Sequence, residues 1–293
     1  MNQFIKKCFW FFGVIILANL IYLGVLFCGS QGFKKVYDVH SFENQKYDLL
    51  IFGNSMALDG IDSEYLQQKG ISNYNMAIAG DHISTSLMMF EEYLKHNQKP
   101  KVVAIGLSSA IGRSYLNPVA FQNPEVEFFY HPSLAENLKN PPLLNFQWLA
   151  VDMLKIFMSA DHRRAQMILG QWKTKKIIPD NSVYKEQNIS LVDYSNPYLA
   201  KMVALCRNNG IQVLLVELPG SNDKRNQISF IRTIELKDGQ KCTLHNLNNY
   251  TLTQNVIDAQ KDWLAADHLN EFGAQKITDY WYQTVLKPIF SKE

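Results

Sequence analysis

Short apolar runs recur along the chain, and segments with the spacing of amphipathic helices separate them. The runs are rich in aliphatic residues and several are bounded by glycine or proline, which is typical of buried strands in a parallel sheet. They predict strands at 47–52, 101–107 and 211–217, and the more polar segment SNYNMA at 72–77 is predicted as a further strand between the first two. The segments between and after them predict helices at 61–69, 84–96, 198–209 and 271–286. This alternation predicts an α/β fold, a flavodoxin-like three-layer sandwich with helices on both faces of a mostly parallel sheet.

A much longer apolar run precedes this pattern. Residues 9–27 carry no charge, and Asn19 is their only strongly polar member. As a helix the run would extend about 28 Å, close to the hydrocarbon thickness of a bilayer, so it predicts one transmembrane anchor. A cleaved signal peptide is the alternative, but its apolar core is usually shorter, and no clean A-x-A cleavage site follows here.

The anchor divides the chain into segments. Residues 1–8 are a short N-terminal tail, 28–45 a linker, and 46–293 the α/β domain. Lysines flank the apolar run on both sides, so they favour a cytoplasmic N-terminus only weakly. The prediction is a single-pass membrane protein whose C-terminal domain is extracytoplasmic, at the periplasmic face of a bacterial inner membrane.

Prolines repeatedly break the strand and helix pattern between residues 110 and 197. We interpret this region as a helical insertion, with an amphipathic helical stretch between 144 and 172, that rests over the active edge of the sheet. Charged and aromatic residues in it are candidates for lining a substrate cleft, although ordinary packing is the more frequent role for any one of them: Arg113, Tyr115, Tyr130 and His131.

Composition and charge narrow the function classes. The net charge is +2, so no strong basic field indicates a nucleic-acid partner. No glycine-rich phosphate loop follows the first strand, which argues against nucleotide binding. The four cysteines show neither CxxC spacing nor a metal pattern. Cys206 and Cys242 either form a disulfide or are two separate buried thiols.

A candidate nucleophile follows the first predicted strand. Gly53 permits a sharp turn that a Cβ would obstruct, and Ser55 comes two residues later, at the strand end where open α/β sheets bind ligands. A serine there is a nucleophile if a histidine reaches it. Taken alone, the GNS sequence also suits a plain turn with a capping serine.

Four blocks together resemble the SGNH/GDSL hydrolase superfamily. They are GNS at 53–55, NYNMAIAG at 73–80, KVVAIGLSS at 101–109 and ADHLNEFGA at 266–274. The resemblance covers residues 46–286 apart from the insertion, and the order and spacing of the blocks are more specific than any one block. The branch that looks most similar is the membrane-anchored, cell-envelope group of O-acetyltransferase and acyl-transfer accessory proteins.

The resemblance implies a role for each matched position. Ser55 would be the nucleophile, and His268 the base that takes its proton and returns it to the leaving group. The backbone N–H groups of Ser55 and Gly80 would bind the oxyanion. The resemblance implies neither a metal nor an organic cofactor.

Two departures from the family pattern concern the remaining roles. The family places an asparagine after the third strand to complete the oxyanion hole, where this chain has Ser108. The family's aspartate three residues before the histidine is replaced by Ala265. Asp267 is the candidate acid, although neighbours on an extended chain point to opposite sides. The site is therefore a Ser-His dyad, a rearranged triad or a catalytically inactive remnant.

Two classes of function remain in view, with a different flavodoxin-like domain as a third. The first is a membrane-anchored serine esterase or O-acyltransferase that acts on acyl esters of an envelope glycan. The second is a non-catalytic accessory or assembly protein beside a membrane acyltransferase or polysaccharide export system. Near the candidate base, Asn270 is predicted to cap the last helix, and Gly273 and Ala274 to let that helix pack closely.

Overall fold

The fold is known from a computed structural model that describes residues 2–107, 123–130, 134–147, 149–150, 166–178, 194–220, 229–265 and 268–291. The chain divides into two compact units. One comprises Met1–Ser41 with Asn123–Arg163, and the other comprises Phe42–Gln122 with Arg164–Glu293. We call them the N-terminal unit and the α/β unit.

The elements of the described residues are numbered in chain order. The strands are β1 (Leu49–Phe52), β2 (Asn73–Asn75), β3 (Val102–Leu107), β4 (Gln166–Ile168), β5 (Gln171–Lys173), β6 (Gln212–Glu217), β7 (Ile231–Glu235), β8 (Lys241–Asn246), β9 (Trp263–Ala265) and β10 (His268–Leu269). The helices are α1 (Asn2–Gly29), α2 (Gln31–His40), α3 (Ser55–Gly60), α4 (Ser63–Gln68), α5 (Ile83–His96), α6 (Pro124–Tyr130), α7 (Leu134–Lys139), α8 (Pro142–Asn145), α9 (Pro197–Asn208), α10 (Tyr250–Val256), α11 (Glu271–Trp281), a π-helix (Tyr282–Leu286) and α12 (Lys287–Phe290).

The α/β unit is built on one six-stranded sheet in the order β2-β1-β3-β6-β8-β7. Neighbouring strands from β2 to β8 run parallel, and β7 pairs antiparallel to β8 at the edge. The predicted α/β fold with a mostly parallel sheet is therefore confirmed. The order of the parallel strands is consistent with a flavodoxin-like sandwich, whose switch point lies between β1 and β3.

Helices cover both faces of this sheet. Leu49 and Ile51 of β1 pack in one core cluster with Ile277 and Trp281 of α11. Residues of the π-helix belong to the same cluster. Successive strand residues point to opposite faces, so Phe52 lies on the other side, where its ring contacts Phe90 of α5. Helix α9 contacts both α5 and β6. The apolar runs that the sequence shows at β1, β3 and β6 are thus buried from both sides.

The sequence prediction missed one part of the sheet. The sequence pattern predicts no strand after 217, but β7 and β8 form a hairpin in which Asp238-Gly239 turns the chain, with φ +80° at the glycine. In β8 polar residues alternate with apolar ones from Lys241 to Leu244, and in β7 only Ile234 is buried, because one face of each strand is exposed. A search for continuous apolar runs does not find such strands.

A second hairpin replaces part of the predicted helical stretch at 144–172. Strands β4 and β5 are joined by Leu169 and Gly170, both with positive φ, as a two-residue hairpin turn requires. The backbone N–H of Asn75 in edge strand β2 donates to the Leu169 carbonyl at 2.9 Å. A Cβ on Gly170 would lie 2.1 Å from the Asn75 carbonyl oxygen, so only glycine lets the turn approach the strand.

In the N-terminal unit, helix α1 is long and apolar enough to cross a membrane, a property that a signal sequence shares. The predicted linker at 28–45 contains a helix instead. Ser30 caps α2 by accepting a hydrogen bond from the Phe33 N–H, and α2 buries Phe33, Val36 and Val39. Its amphipathic face is covered by residues far along the chain, so the helix depends on contacts that local sequence does not reveal.

The described residues of the predicted insertion between 123 and 150 pack with these N-terminal helices. Phe33 contacts Phe128, Phe129 and Phe146. Tyr130, a candidate for a substrate cleft, lies in this unit with its ring centroid 4.8 Å from that of His40 and the two rings tilted by 59°. Arg113, Tyr115 and His131 lie outside the described residues. The described residues of the insertion between 123 and 150 thus belong to the unit that holds the apolar helix.

Candidate functional site

The turn after β1 positions Ser55. Gly53 has φ +145°, and a Cβ there would lie 2.8 Å from both the Ala57 Cβ and the Gly106 carbonyl oxygen. The prediction that a side chain would obstruct this turn is confirmed. Because β3 passes so close, the chain leaves β1 sharply and enters α3 at once.

Asn54 holds the serine in place. Its side-chain oxygen accepts a hydrogen bond from the Met56 N–H at 3.1 Å, and its carbonyl accepts from Ala57 and Leu58. Asn54 therefore caps α3 and makes Ser55 the first helical residue, half-buried at the carboxyl end of β1. The sequence prediction gave Asn54 no role, although an asparagine between a turn glycine and a helix is a capping signal.

The short β9–β10 pair positions His268. Ala265 lies directly opposite His268 in this antiparallel pair. The next residue but one, Asn270, accepts hydrogen bonds from the N–H groups of Phe272 and Gly273, so its predicted role as the cap of α11 is confirmed. A Cβ on Gly273 would lie 2.4 Å from the Asp262 carbonyl oxygen, which confirms the predicted close packing. His268 is therefore held between a strand pair and a capped helix.

These two turns bring Ser55 and His268 together. The His268 Nε2 lies 2.8 Å from the Ser55 Oγ, although the residues are 213 positions apart in sequence. This distance lies within the range for proton transfer from a serine to a base. With the ring proton on Nδ1, Nε2 accepts the serine proton, which is the arrangement that activates a serine nucleophile.

Gly80 lies at the same edge of the sheet. The chain after β2 is tied to β1 by hydrogen bonds from Met76 N–H to the Ile51 carbonyl at 2.7 Å and from Ile78 N–H to the Gly53 carbonyl at 3.1 Å. Gly80 follows in an exposed turn with φ +71°. The backbone pairing therefore runs this turn alongside the turn that carries Ser55.

Buried Asn75 joins the two turns, a role that the sequence prediction also missed. Its side-chain amide donates to the Ala57 carbonyl at 2.8 Å and its side-chain oxygen accepts from the Ala77 N–H at 3.0 Å. An asparagine at the end of a buried strand was the available signal, since such a polar group needs partners.

The other two predicted site residues, Ser108 and Asp267, lie outside the described residues. In the described part of the chain, no group of three or more His, Cys, Asp or Glu side chains could hold a metal ion. At the end of β6, Glu217 accepts a hydrogen bond from the Tyr194 hydroxyl at 3.2 Å and lies 3.8 Å from Arg232. Burial raises the pKa of Tyr194, which keeps its hydroxyl protonated as a donor to Glu217.

Comparisons with known proteins add little to this geometry. No family model and no curated protein matches the chain. Among solved structures the chain is similar to one provisionally described as a platelet activating factor from Streptococcus pneumonia, at 10% identity and a TM-score of 0.39, over 92% of this chain and 98% of the other.

Proposed function

We propose that the protein is a membrane-anchored serine hydrolase or acyltransferase of the SGNH type. The observation that carries the proposal is the 2.8 Å hydrogen bond between Ser55 Oγ and His268 Nε2 at the carboxyl edge of the sheet. The reaction is acyl transfer through an acyl-serine. Both hydrolysis and transfer begin with this intermediate, so the same two side chains serve either outcome.

Each described site residue has a step in this reaction. His268 removes the proton from the Ser55 hydroxyl as its oxygen attacks the ester carbonyl, and then delivers that proton to the departing alcohol oxygen. Water or a sugar hydroxyl next attacks the acyl-serine, with His268 acting again as the base. The ester therefore exchanges one oxygen partner for another, and no metal, oxidant or organic cofactor takes part.

Backbone N–H groups are proposed to stabilise the oxyanion. Ser55 is the first residue of α3, where the N–H has no intrahelical carbonyl to bond. The Gly80 N–H in the neighbouring turn is the second proposed donor, and Ser108 is the third. Such donors contribute roughly 3–4 kcal/mol each to the transition state.

A third side chain is proposed to orient His268. Ala265, at the position where the resemblance implies an aspartate, has no group that can do so. We propose Asp267 for this role, with a Ser-His dyad as the alternative. A triad that lacks its carboxylate loses roughly 10⁴-fold in turnover, so a dyad would be a slow enzyme.

The proposed substrate is an acyl ester of an envelope glycan, met at the extracytoplasmic face of the membrane to which α1 tethers the chain. The support is the apolar length of α1 together with the resemblance to the membrane-anchored branch. A membrane acyltransferase is a possible partner that would supply or receive the acyl group.

The test uses the full-length protein in detergent, with an activated acetyl ester and a fluorophosphonate probe that labels activated serines. Wild type should hydrolyse the ester and take up the probe, and Ser55→Ala and His268→Ala should do neither. Ser72→Ala, at a strand end whose hydroxyl bonds the Lys46 carbonyl, is the matched control and should behave as wild type. Labelling that persists in Ser55→Ala would remove the basis of the proposal.

A non-catalytic accessory role is the second candidate, and the alanine opposite His268 favours it. A protein kept for its fold rather than its chemistry has no need of the orienting acid. In that case the wild-type protein takes up no probe but co-purifies from membranes with an acyltransferase or polysaccharide export component.

A further inference from the structure

The polar residue within the apolar helix has partners in the N-terminal unit. The Asn19 side-chain amide donates to the Ile15 carbonyl at 2.9 Å, and its oxygen accepts a hydrogen bond from the Leu143 N–H at 3.0 Å. Three residues further along α1, the Tyr22 hydroxyl donates to the Phe146 carbonyl at 2.7 Å. These bonds hold α8 against the C-terminal half of α1.

The position of Asn19 along α1 determines how far below the membrane surface these contacts lie. Asn19 lies eight residues before Phe27, the last residue of the apolar run, which corresponds to about 12 Å along a helix. Residues 9–18 alone would extend only about 15 Å, half of the hydrocarbon thickness, so the run crosses a bilayer only if the part after Asn19 is also immersed. Whatever is bound to Asn19 is then below the membrane surface.

The backbone around α8 suits that depth. Pro141 and Pro142 have no N–H, and the Leu143 N–H is bonded to Asn19. The next three N–H groups donate to carbonyls of the two prolines, at 2.8, 2.9 and 2.9 Å for Leu144, Asn145 and Phe146. Every backbone donor from 141 to 146 is therefore either absent or bonded, as an apolar environment demands.

Three leucines in and next to α8 are exposed. Leu138 is 73% exposed, Leu143 39% and Leu144 60%. They sit on the same unit as the outward-facing Leu20 and Ile21 of α1, which are also exposed. Water would have to cover these exposed apolar side chains if the segment lay outside the bilayer.

We propose that residues 138–146, from the end of α7 through α8, are immersed in the leaflet around the C-terminal half of α1. Leu143 and Leu144 contact lipid acyl chains there. The exposed Lys139 beside them reaches the headgroups with its ammonium while its methylenes lie among the chains. Two segments that are distant in sequence, α1 and residues 138–146, thus contact the same leaflet.

The test places an NBD fluorophore at single cysteines of the full-length protein in phosphatidylcholine vesicles. The background carries Cys8→Ser and Cys28→Ser. Cys206 and Cys242 stay because they are buried, and burial raises the pKa of each thiol, so they react poorly near pH 7. The background protein without an added cysteine checks this point.

Three labelled positions are compared. Leu144→Cys is the test site, Ile16→Cys on the outward face of α1 is the immersed reference, and Ile231→Cys on strand β7 is the reference outside the membrane, being 56% exposed. Lipids with doxyl groups on their acyl chains should quench NBD at 144 several-fold more than at 231, and about as strongly as at 16.

Two results would overturn the proposal. Quenching at 16 but not at 144 means that the leucine surface is outside the lipid and is left for a partner protein. Quenching at neither position means that α1 does not span the bilayer, and the depth argument fails with it. Neither result affects the Ser55 and His268 proposal, which the probe-labelling assay tests separately.

Discussion

Replacing Gly53 by alanine tests whether the turn after β1 positions the serine. The new Cβ would lie 2.8 Å from the Ala57 Cβ and from the Gly106 carbonyl oxygen, and neither neighbour is the end of a flexible side chain. The residue would also have to adopt φ +145°, a conformation that L residues rarely take.

These two effects have separate magnitudes. The backbone strain costs about 1–3 kcal/mol. Forcing atoms into a packed core costs about 1–3 kcal/mol more. Gly53→Ala should therefore lower the free energy of unfolding by about 2–6 kcal/mol, a large part of the 5–15 kcal/mol typical of a folded domain. A displaced Ser55 should also react with a serine probe about 10- to 100-fold more slowly.

The control separates strain from crowding. Gly70 has φ +84°, but a Cβ there would meet no atom within 4 Å. Gly70→Ala should cost only the strain of about 1–3 kcal/mol and should leave Ser55 labelling unchanged. Both variants are unfolded with urea as full-length proteins in detergent, and the emission of the buried Trp263 and Trp281 reports on the α/β unit.

The reasoning is refuted if Gly53→Ala and Gly70→Ala lose the same stability and both label at the wild-type rate. The turn would then have room to relax, and the position of Ser55 would not depend on the close approach of β3. If both variants lose the same free energy of unfolding but only Gly53→Ala labels slowly, crowding at Gly53 changes the position of Ser55 and not the stability of the fold.

Two further predictions concern stability. Asp62 accepts a hydrogen bond from the Tyr65 N–H at 2.9 Å and lies 3.2 Å from Lys173. Asp62→Ala should therefore lower the free energy of unfolding, measured by urea denaturation, by about 2–4 kcal/mol. Asp62→Asn keeps the cap and should lower it by less. Burial lowers the pKa of His245, so the unfolded chain binds a proton more readily than the folded one, and stability should fall as the pH drops below about 6.5. His245→Phe should reduce that fall, and an unchanged pH profile would show that other groups cause it.

The sequence predicted the strands that are buried on both faces, because continuous apolar runs such as 101–107 leave few alternatives. It also predicted the cap Asn270 and the tight packing at Gly53 and Gly273, since each is a local rule about one residue type. That Ser55 and His268 should lie near each other was an expectation from the order of four blocks, and the hydrogen bond between them is a feature of the structure.

The elements that the sequence did not predict depend on distant partners. Helix α2 owes its order to rings at positions 128, 129 and 146, about a hundred residues away. Strand β8 pairs with β6 in the sheet, with Leu215 opposite Leu244, although several residues of β8 are polar. No local pattern carries that information, because the deciding contacts join residues that are far apart along the chain.

The contact between the β4–β5 turn and β2 bears on how the protein behaves at high concentration. Strand β2 is the edge of the sheet, and an uncovered strand edge offers a template to the edge of another molecule. The Leu169 carbonyl accepts a hydrogen bond from the Asn75 N–H, and the turn that contains Gly170 lies directly against the strand. The β4–β5 hairpin, far along the chain, thus shields the sheet from edge-to-edge association. We expect a substitution at Gly170 to cause aggregation before it affects the reaction at Ser55.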